Sequence, residues 1–132
     1  MRLGVVSIEL LFKLIESHLQ AGQPVLAESN YRREFDLPRF QDFRLRYAFG
    51  VVEVHCKPEG PVLRTRLRQR GGGRERHPGH NDIEILDEID GALRDGVFDP
   101  LAVGAVIAVD TTGFEQVDYD ATLASVKVAS GH

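Results

Sequence analysis

An α/β fold, with helices layered on both faces of a short, mainly parallel sheet, is what this 132-residue sequence predicts. Segments with apolar residues at three- and four-residue spacing alternate with short, β-branched apolar runs. Three of those runs end in polar residues, as strands do when their carboxyl ends face a ligand crevice. Helix and strand in alternation make a parallel sheet with helical crossovers the simplest topology, and three layers its natural packing.

The elements follow in order. From Ser7 to Leu19 the residues Leu10, Leu11, Leu14, Ile15 and Leu19 form one helical stripe, with Ser7 as the cap and Gly22 just past the end. Pro24 opens Val25-Leu26-Ala27, an apolar run suited to a buried strand that finishes in Glu28-Ser29-Asn30. A second helix runs from Leu37 to Phe49, starting near Pro38 and stopping at Gly50. Val51 to Cys56 reads as the second strand. Pro61 marks the first turn of a helix through Gln69, which gives way at Gly71-Gly72-Gly73 to a surface loop without periodic apolar residues. Ile83, Leu86, Ile89 and Leu93 are the stripe of the next helix, behind an Asn81 or Asp82 cap and ahead of Gly96. Val103 to Val109 is the third strand, tipped by Asp110-Thr111-Thr112, and Asp118 to Val128 the closing helix. No linker divides the chain, so residues 1–129 are read as one domain. Ser130-Gly131-His132 resembles a vector remnant and is set aside.

Charge narrows the function classes. The net charge of −4 argues against a general polyanion binder, yet it is unevenly spread. Residues 57–80 hold seven basic and two acidic side chains, and 81–120 hold one and eleven. Thirteen of the sixteen cations are Arg, whose fork grips phosphate or carboxylate oxygens in a geometry Lys cannot reproduce. The basic block has no aromatic residue for base stacking, which disfavours nucleic acid as partner. No apolar run is long enough to span a bilayer and no secretory signal opens the chain, so the expectation is a cytoplasmic protein without a membrane partner. Cys56, the only cysteine, rules out an internal disulfide and reads as a packing residue beside His55.

Pro24-Val-Leu-Ala-Glu-Ser-Asn30 with Arg32-Arg33, Val52-Glu-Val-His-Cys56, Arg64-Thr-Arg-Leu-Arg-Gln-Arg70, Glu75-Arg-His-Pro-Gly-His80 and Val109-Asp-Thr-Thr112, in this order and spacing, resemble the P-loop kinases. More narrowly, the chain is similar to the kinase-like "AAA domain" group related to zeta toxins, polynucleotide kinases and adenylylsulfate or gluconate kinases. The likeness spans roughly residues 7–128. It implies an ATP-dependent, magnesium-assisted phosphotransferase acting on a small molecule or a nucleotide-like hydroxyl. The alternative is a non-catalytic module that binds a phosphorylated ligand or serves assembly.

The sequence also departs from that family. It contains no GxxxxGKS/T loop to cradle phosphates, and the family's first strands have no counterpart. It resembles the carboxyl-terminal two-thirds of such a kinase, as a truncation, a misassigned start or a degenerate gene would produce, and is expected to be inactive alone and to bind no ATP or magnesium by itself. In the family the missing strand lies between the strands matching 25–28 and 51–56. Its absence implies an unpaired edge, with dimerisation through that edge as the expectation.

The resemblance assigns the site residues. Arg66, Arg70 and Arg76 would stand on a lid, about residues 64–80, that closes over the transferred phosphoryl group and stabilises its charge. Arg66 and Arg70 share a helical face, but so do Arg64 and Arg68, and periodicity does not choose between the pairs. Glu28, Asn30, Arg32 and Arg33 would face the acceptor substrate; the bland readings are a carboxylate cap, a turn residue and a solvated pair of cations. Asp110, Thr111 and Thr112 fall where the family's last strand approaches adenine, although a hydroxyl-rich turn accounts for them nearly as well. His77 and His80 lack a third ligand nearby and are read as loop residues rather than a metal site.

Overall fold

Helix α1 spans Leu3–Gln20 in the structure, a computed structural model that describes residues 3–71 and 82–131. It begins a turn earlier than the sequence suggests. Ser7 does not cap it, because its hydroxyl donates back to the Leu3 carbonyl at 2.9 Å from inside the helix. The end matches expectation: Gly22 has φ 66, and Gln23 and Gly22 donate to the His18 and Leu19 carbonyls, the paired bonds of a left-handed glycine stop.

Helix α2 spans Arg33–Arg46, not Leu37–Phe49, with Pro38 inside it. The early start comes from Asp36, which is buried. Its carboxylate accepts the Arg32 N–H at 2.7 Å while its own N–H donates to the Arg32 carbonyl at 2.8 Å, closing the first turn before Pro38 is reached. Phe12, Ile15 and Phe43 are the buried centre between α1 and α2, with Tyr31, Phe40 and Tyr47 packed around them and rings tilted or edge-on at 5.2–6.4 Å. Ion pairs Glu9–Arg39 and Glu16–Arg46 flank that seam.

Strands β1 (Val52–Lys57) and β2 (Ala105–Asp110) pair in parallel, Val52 opposite Ala105 and Lys57 opposite Asp110. Gly104 lets the two strands approach: a Cβ there would sit 2.2 Å from the Val51 carbonyl oxygen. Helix α3 (Gly60–Gly71) follows β1 directly, and α4 (Asp82–Arg94) leads to β2 after a second left-handed stop at Gly96, φ 69. A short 3₁₀ turn, Phe114–Gln116, precedes α5 (Tyr119–Ala129), whose first turn is capped by Asp118 accepting from the Ala121 N–H at 2.9 Å. Helix α5 lies against both strands.

The expected strand at 25–28 is not formed. Residues 23–32 carry neither helix nor strand, and Leu26, read as a core residue, is 99% exposed. Among the described residues β1 pairs with β2 alone and the run at 25–28 is not hydrogen-bonded to any strand. Among the described residues the fold is α/β with a two-stranded parallel sheet. Parallel sheets are ordinarily buried on both faces, yet Val54 is 43% and Val106 39% exposed.

Candidate functional site

The carboxyl ends of β1 and β2 are tied into one turn. The Thr111 N–H donates to the Lys57 carbonyl at 3.2 Å, and the Glu59 N–H donates to the Thr112 hydroxyl oxygen at 2.8 Å. That hydroxyl in turn donates to Asp110 Oδ1 at 2.6 Å, and the Thr112 N–H reaches the same oxygen at 2.9 Å. These two bonds, the hydroxyl first, favour the ionised form and hold the Asp110 carboxyl below its ordinary range. Asp110 thus reads as the acceptor that shapes the turn, with Thr112 relaying between the strands.

Arg66 crosses from α3 onto this turn. Nη1 donates to the Thr111 carbonyl at 2.7 Å and Nη2 to the Thr112 carbonyl at 2.8 Å, while its Cζ lies 4.1 Å from the centre of the Phe114 ring. The planar fork suits two successive carbonyls as it would suit two oxygens of one anion, and the ring adds a cation–π contact. One lid candidate and all three turn candidates therefore come together. Arg70 belongs to the last turn of α3, and Arg76, with His77 and His80, lies outside the described residues.

The other arginine pair goes elsewhere. Arg64 is ion-paired with Asp90 of α4, and with Arg68, Arg94, Thr65 and Pro61 it lines an open cleft of about 660 Å³ between α3 and α4. The two sides of α3 meet different groups: carbonyl oxygens for Arg66, a carboxylate for Arg64.

The acceptor-side candidates do not join this end. Arg33 donates to the carbonyls of Pro100 and Leu101, and its N–H to the Val97 carbonyl at 3.2 Å; Arg32 stands over the Phe98 ring at 5.7 Å. Both serve the segment that enters β2, at the amino end of the sheet, about 17 Å in strand length from Asp110. Glu28 and Asn30 are exposed on the 23–32 segment. Tyr31 beside them has its phenol pushed up by burial and then by the charges of Asp36 and Glu28.

Three residues that hold the 97–103 segment were not singled out by sequence reasoning. Glu53 accepts the N–H groups of Leu101 and Ala102, His55 Nε2 donates to the Phe98 carbonyl at 3.0 Å, and Arg44 donates to the Val103 carbonyl. The signal available was Glu53 itself, a carboxylate in the middle of an apolar strand run, which must find donors if it is half-buried. Phe114 gave no signal. Among the described residues no group of three or more His, Cys, Asp or Glu side chains is placed to hold a metal ion, and no helix is long and apolar enough to cross a membrane.

No family model matches the chain, and no curated protein does. A solved structure does: a "putative kinase" from Chloroflexus aurantiacus J-10-fl, with a TM-score of 0.71 and 31% sequence identity, the match covering 96% of this chain and 69% of that one. Identity at that level over more than two thirds of the other protein is shared descent as well as shared fold, and the chain belongs to the same kinase-like family as the Chloroflexus aurantiacus protein.

Proposed function

We propose that the chain carries the lid and acceptor-side portion of an ATP-dependent phosphotransferase of the P-loop class, acting on a small hydroxyl-bearing or nucleotide-like substrate. Kinship with the Chloroflexus aurantiacus protein supports the class, and one observation supports the assignment of parts: Arg66 of α3 meets the Asp110–Thr112 turn where the two strands end. In this reading α3 is the root of the lid, and the Arg66 bonds set its angle over the strand ends. Arg70 and Arg76 are assigned to the transferred group, and Glu28 and Asn30 to the acceptor side, while Arg32 and Arg33 brace the segment that enters β2. In the same reading the helices cover both faces of the sheet as a three-layer α/β/α arrangement.

A nucleoside triphosphate does not fit the groups present at the strand ends. The sequence has no GxxxxGKS/T loop, and the turn offers a carboxylate and two carbonyl oxygens already occupied by Arg66. No step of transfer is assigned to this chain alone. What its residues do is fix the turn, orient α3 and keep Asp110 ionised.

Calorimetric titration with ATP and magnesium, against inorganic pyrophosphate, tests this reading. The expected result is no saturable ATP binding beyond what pyrophosphate gives, and no release or transfer of the γ-phosphoryl group. Saturable ATP binding that pyrophosphate does not mimic would show that a nucleotide site exists without a phosphate loop, and the division of parts proposed here would be wrong.

A further inference from the structure

Helices α1 and α2 close on a buried aromatic centre, and α3 and α4 do not. Among the described residues no side chain of α3 or α4 is buried, and an open cleft of about 660 Å³ lies between the two helices. The sequence of α3 accounts for this. Arginines at 64, 66, 68 and 70 recur with a period of two, which in a helix puts charge on opposite sides of the axis and leaves no continuous apolar stripe to pack. Across the cleft Arg64 is paired with half-buried Asp90, and among the described residues that is the one side-chain bond between α3 and α4.

Both helices are anchored at their sheet ends. Helix α3 is held by Arg66 on the Thr111 and Thr112 carbonyls. Helix α4 is held where it ends: the Val97 carbonyl accepts the Arg33 N–H at 3.2 Å, and the Val97 N–H donates to the Ala92 carbonyl at 3.0 Å. Gly91 lies between that anchor and Asp90, in the interior of α4. A glycine there disfavours the helix about two- to fivefold relative to alanine. Close packing does not require it, because a Cβ at Gly91 would meet nothing within 4 Å.

We infer that Gly91 is the hinge, and the Arg64–Asp90 pair the latch, of a moving arm formed by residues 82–90 of α4. With the pair made, the arm lies along α3. With the pair broken, it swings about Gly91 while Ala92–Arg94 stay with the sheet. An ion pair of this exposure shifts such an equilibrium by up to about fivefold and weakens in salt, so the arm answers to ionic strength. The Arg66 bonds lie on the other side of α3 and hold its root in either position. In the phosphotransfer reading α4 is the return helix of the lid, and the latch sets how far the lid opens. That consequence rests on the reading, whereas latch and hinge need no ligand.

Electron paramagnetic resonance tests it, with one spin label on exposed Cys56 at the end of β1 and one on Glu88→Cys in the arm. One distance is expected to dominate at low salt. A second is expected to gain about three- to fivefold in share in about 0.5 M sodium chloride, where the screening length falls to about 4 Å, and equally in Asp90→Asn at low salt. Gly91→Ala, which fits without a clash and stiffens the helix, is expected to cancel that gain. Circular dichroism of each variant is expected to match that of the parent chain. A distribution that neither salt nor Asp90→Asn changes overturns the latch, and a second distance that Gly91→Ala leaves in place overturns the hinge. Either result overturns the inference, and neither bears on the ATP titration.

Discussion

Glu53 Oε2 accepts the N–H of Ala102 at 2.9 Å, and Ala102 holds a left-handed backbone, φ 55. The two facts are connected. A residue with a Cβ pays roughly 1 kcal/mol to enter that region, and the carboxylate, which also takes the Leu101 N–H at 2.8 Å, supplies the charge-assisted bonds that keep it there. Glu53→Ala leaves two donors without their acceptor and is expected to destabilise the chain by about 2–3 kcal/mol. Ala102→Gly, by contrast, relieves the backbone and is expected to stabilise it by about 0.5–1 kcal/mol. Urea unfolding of the two variants checks the pair, and equal signs would mean that the bend at Ala102 is not held from Glu53.

Gly104 is a second place where backbone geometry selects the residue. The clash an alanine would make is with the Val51 carbonyl, a main-chain atom that cannot rotate aside. Gly104→Ala is therefore expected to cost about 1–3 kcal/mol by pushing β2 from β1 at the first rung. Amide hydrogen exchange should show the loss of protection strongest near Val52 and Ala105. Unchanged exchange there would place the strand crossing elsewhere.

Asp110 links the turn to pH. Its carboxyl is held below the ordinary value of 3.8 in the folded chain, so its stabilising contribution is fully present above that value and disappears as pH falls through the lower, folded one. The largest cause is the Thr112 hydroxyl, so Thr112→Val should let the carboxyl return upward while Thr112→Ser should not. Glu16 offers the parallel case at the α1–α2 seam, lowered first by the Tyr47 hydroxyl and then by Arg46, and Tyr47→Phe should raise it. Carboxyl carbon shifts followed by NMR titration read both groups directly. A flat response to Thr112→Val would remove the hydroxyl as the cause.

What could be read from the sequence, and what could not, divides along the range of the interactions. The stops at Gly22 and Gly96, the start of the closing helix at Asp118 and the bounds of β1 and β2 carry their signals in nearby residues, and residue type with spacing was enough to place them within a few residues. Residues 25–28 have strand composition as good as β1, but a strand exists only with a partner, and composition does not say whether one is present. The candidate site divides in the same way. That Arg66 and the Asp110–Thr112 turn lie together follows from parallel strands ending on one side. That Arg33 holds the Pro100 and Leu101 carbonyls depends on how the 97–103 segment returns to β2, and no spacing encodes it. The match to the Chloroflexus aurantiacus protein supports a kinase-like fold and leaves the individual roles of the arginines to experiment.

Arg66 is where stability and function can be separated. In the chain without ligand its two bonds to Thr111 and Thr112 and its contact with Phe114 anchor α3, so Arg66→Ala is expected to cost about 2 kcal/mol. Arg66→Lys should recover less than half of that, because a single ammonium cannot span two successive carbonyls in the plane of a fork. If Arg66 also meets phosphate, pyrophosphate affinity falls in both variants by more than the loss in stability can explain, and its dependence on salt weakens. The control is Arg64→Ala, which breaks an ion pair with Asp90 on the other side of α3 and is expected to leave pyrophosphate binding unchanged. Calorimetric titration of the three variants, each checked for folding by urea unfolding, gives the answer. Stability lost at Arg66 with anion binding intact would make it a structural tie of α3 and leave the phosphate-binding role to Arg70 and Arg76.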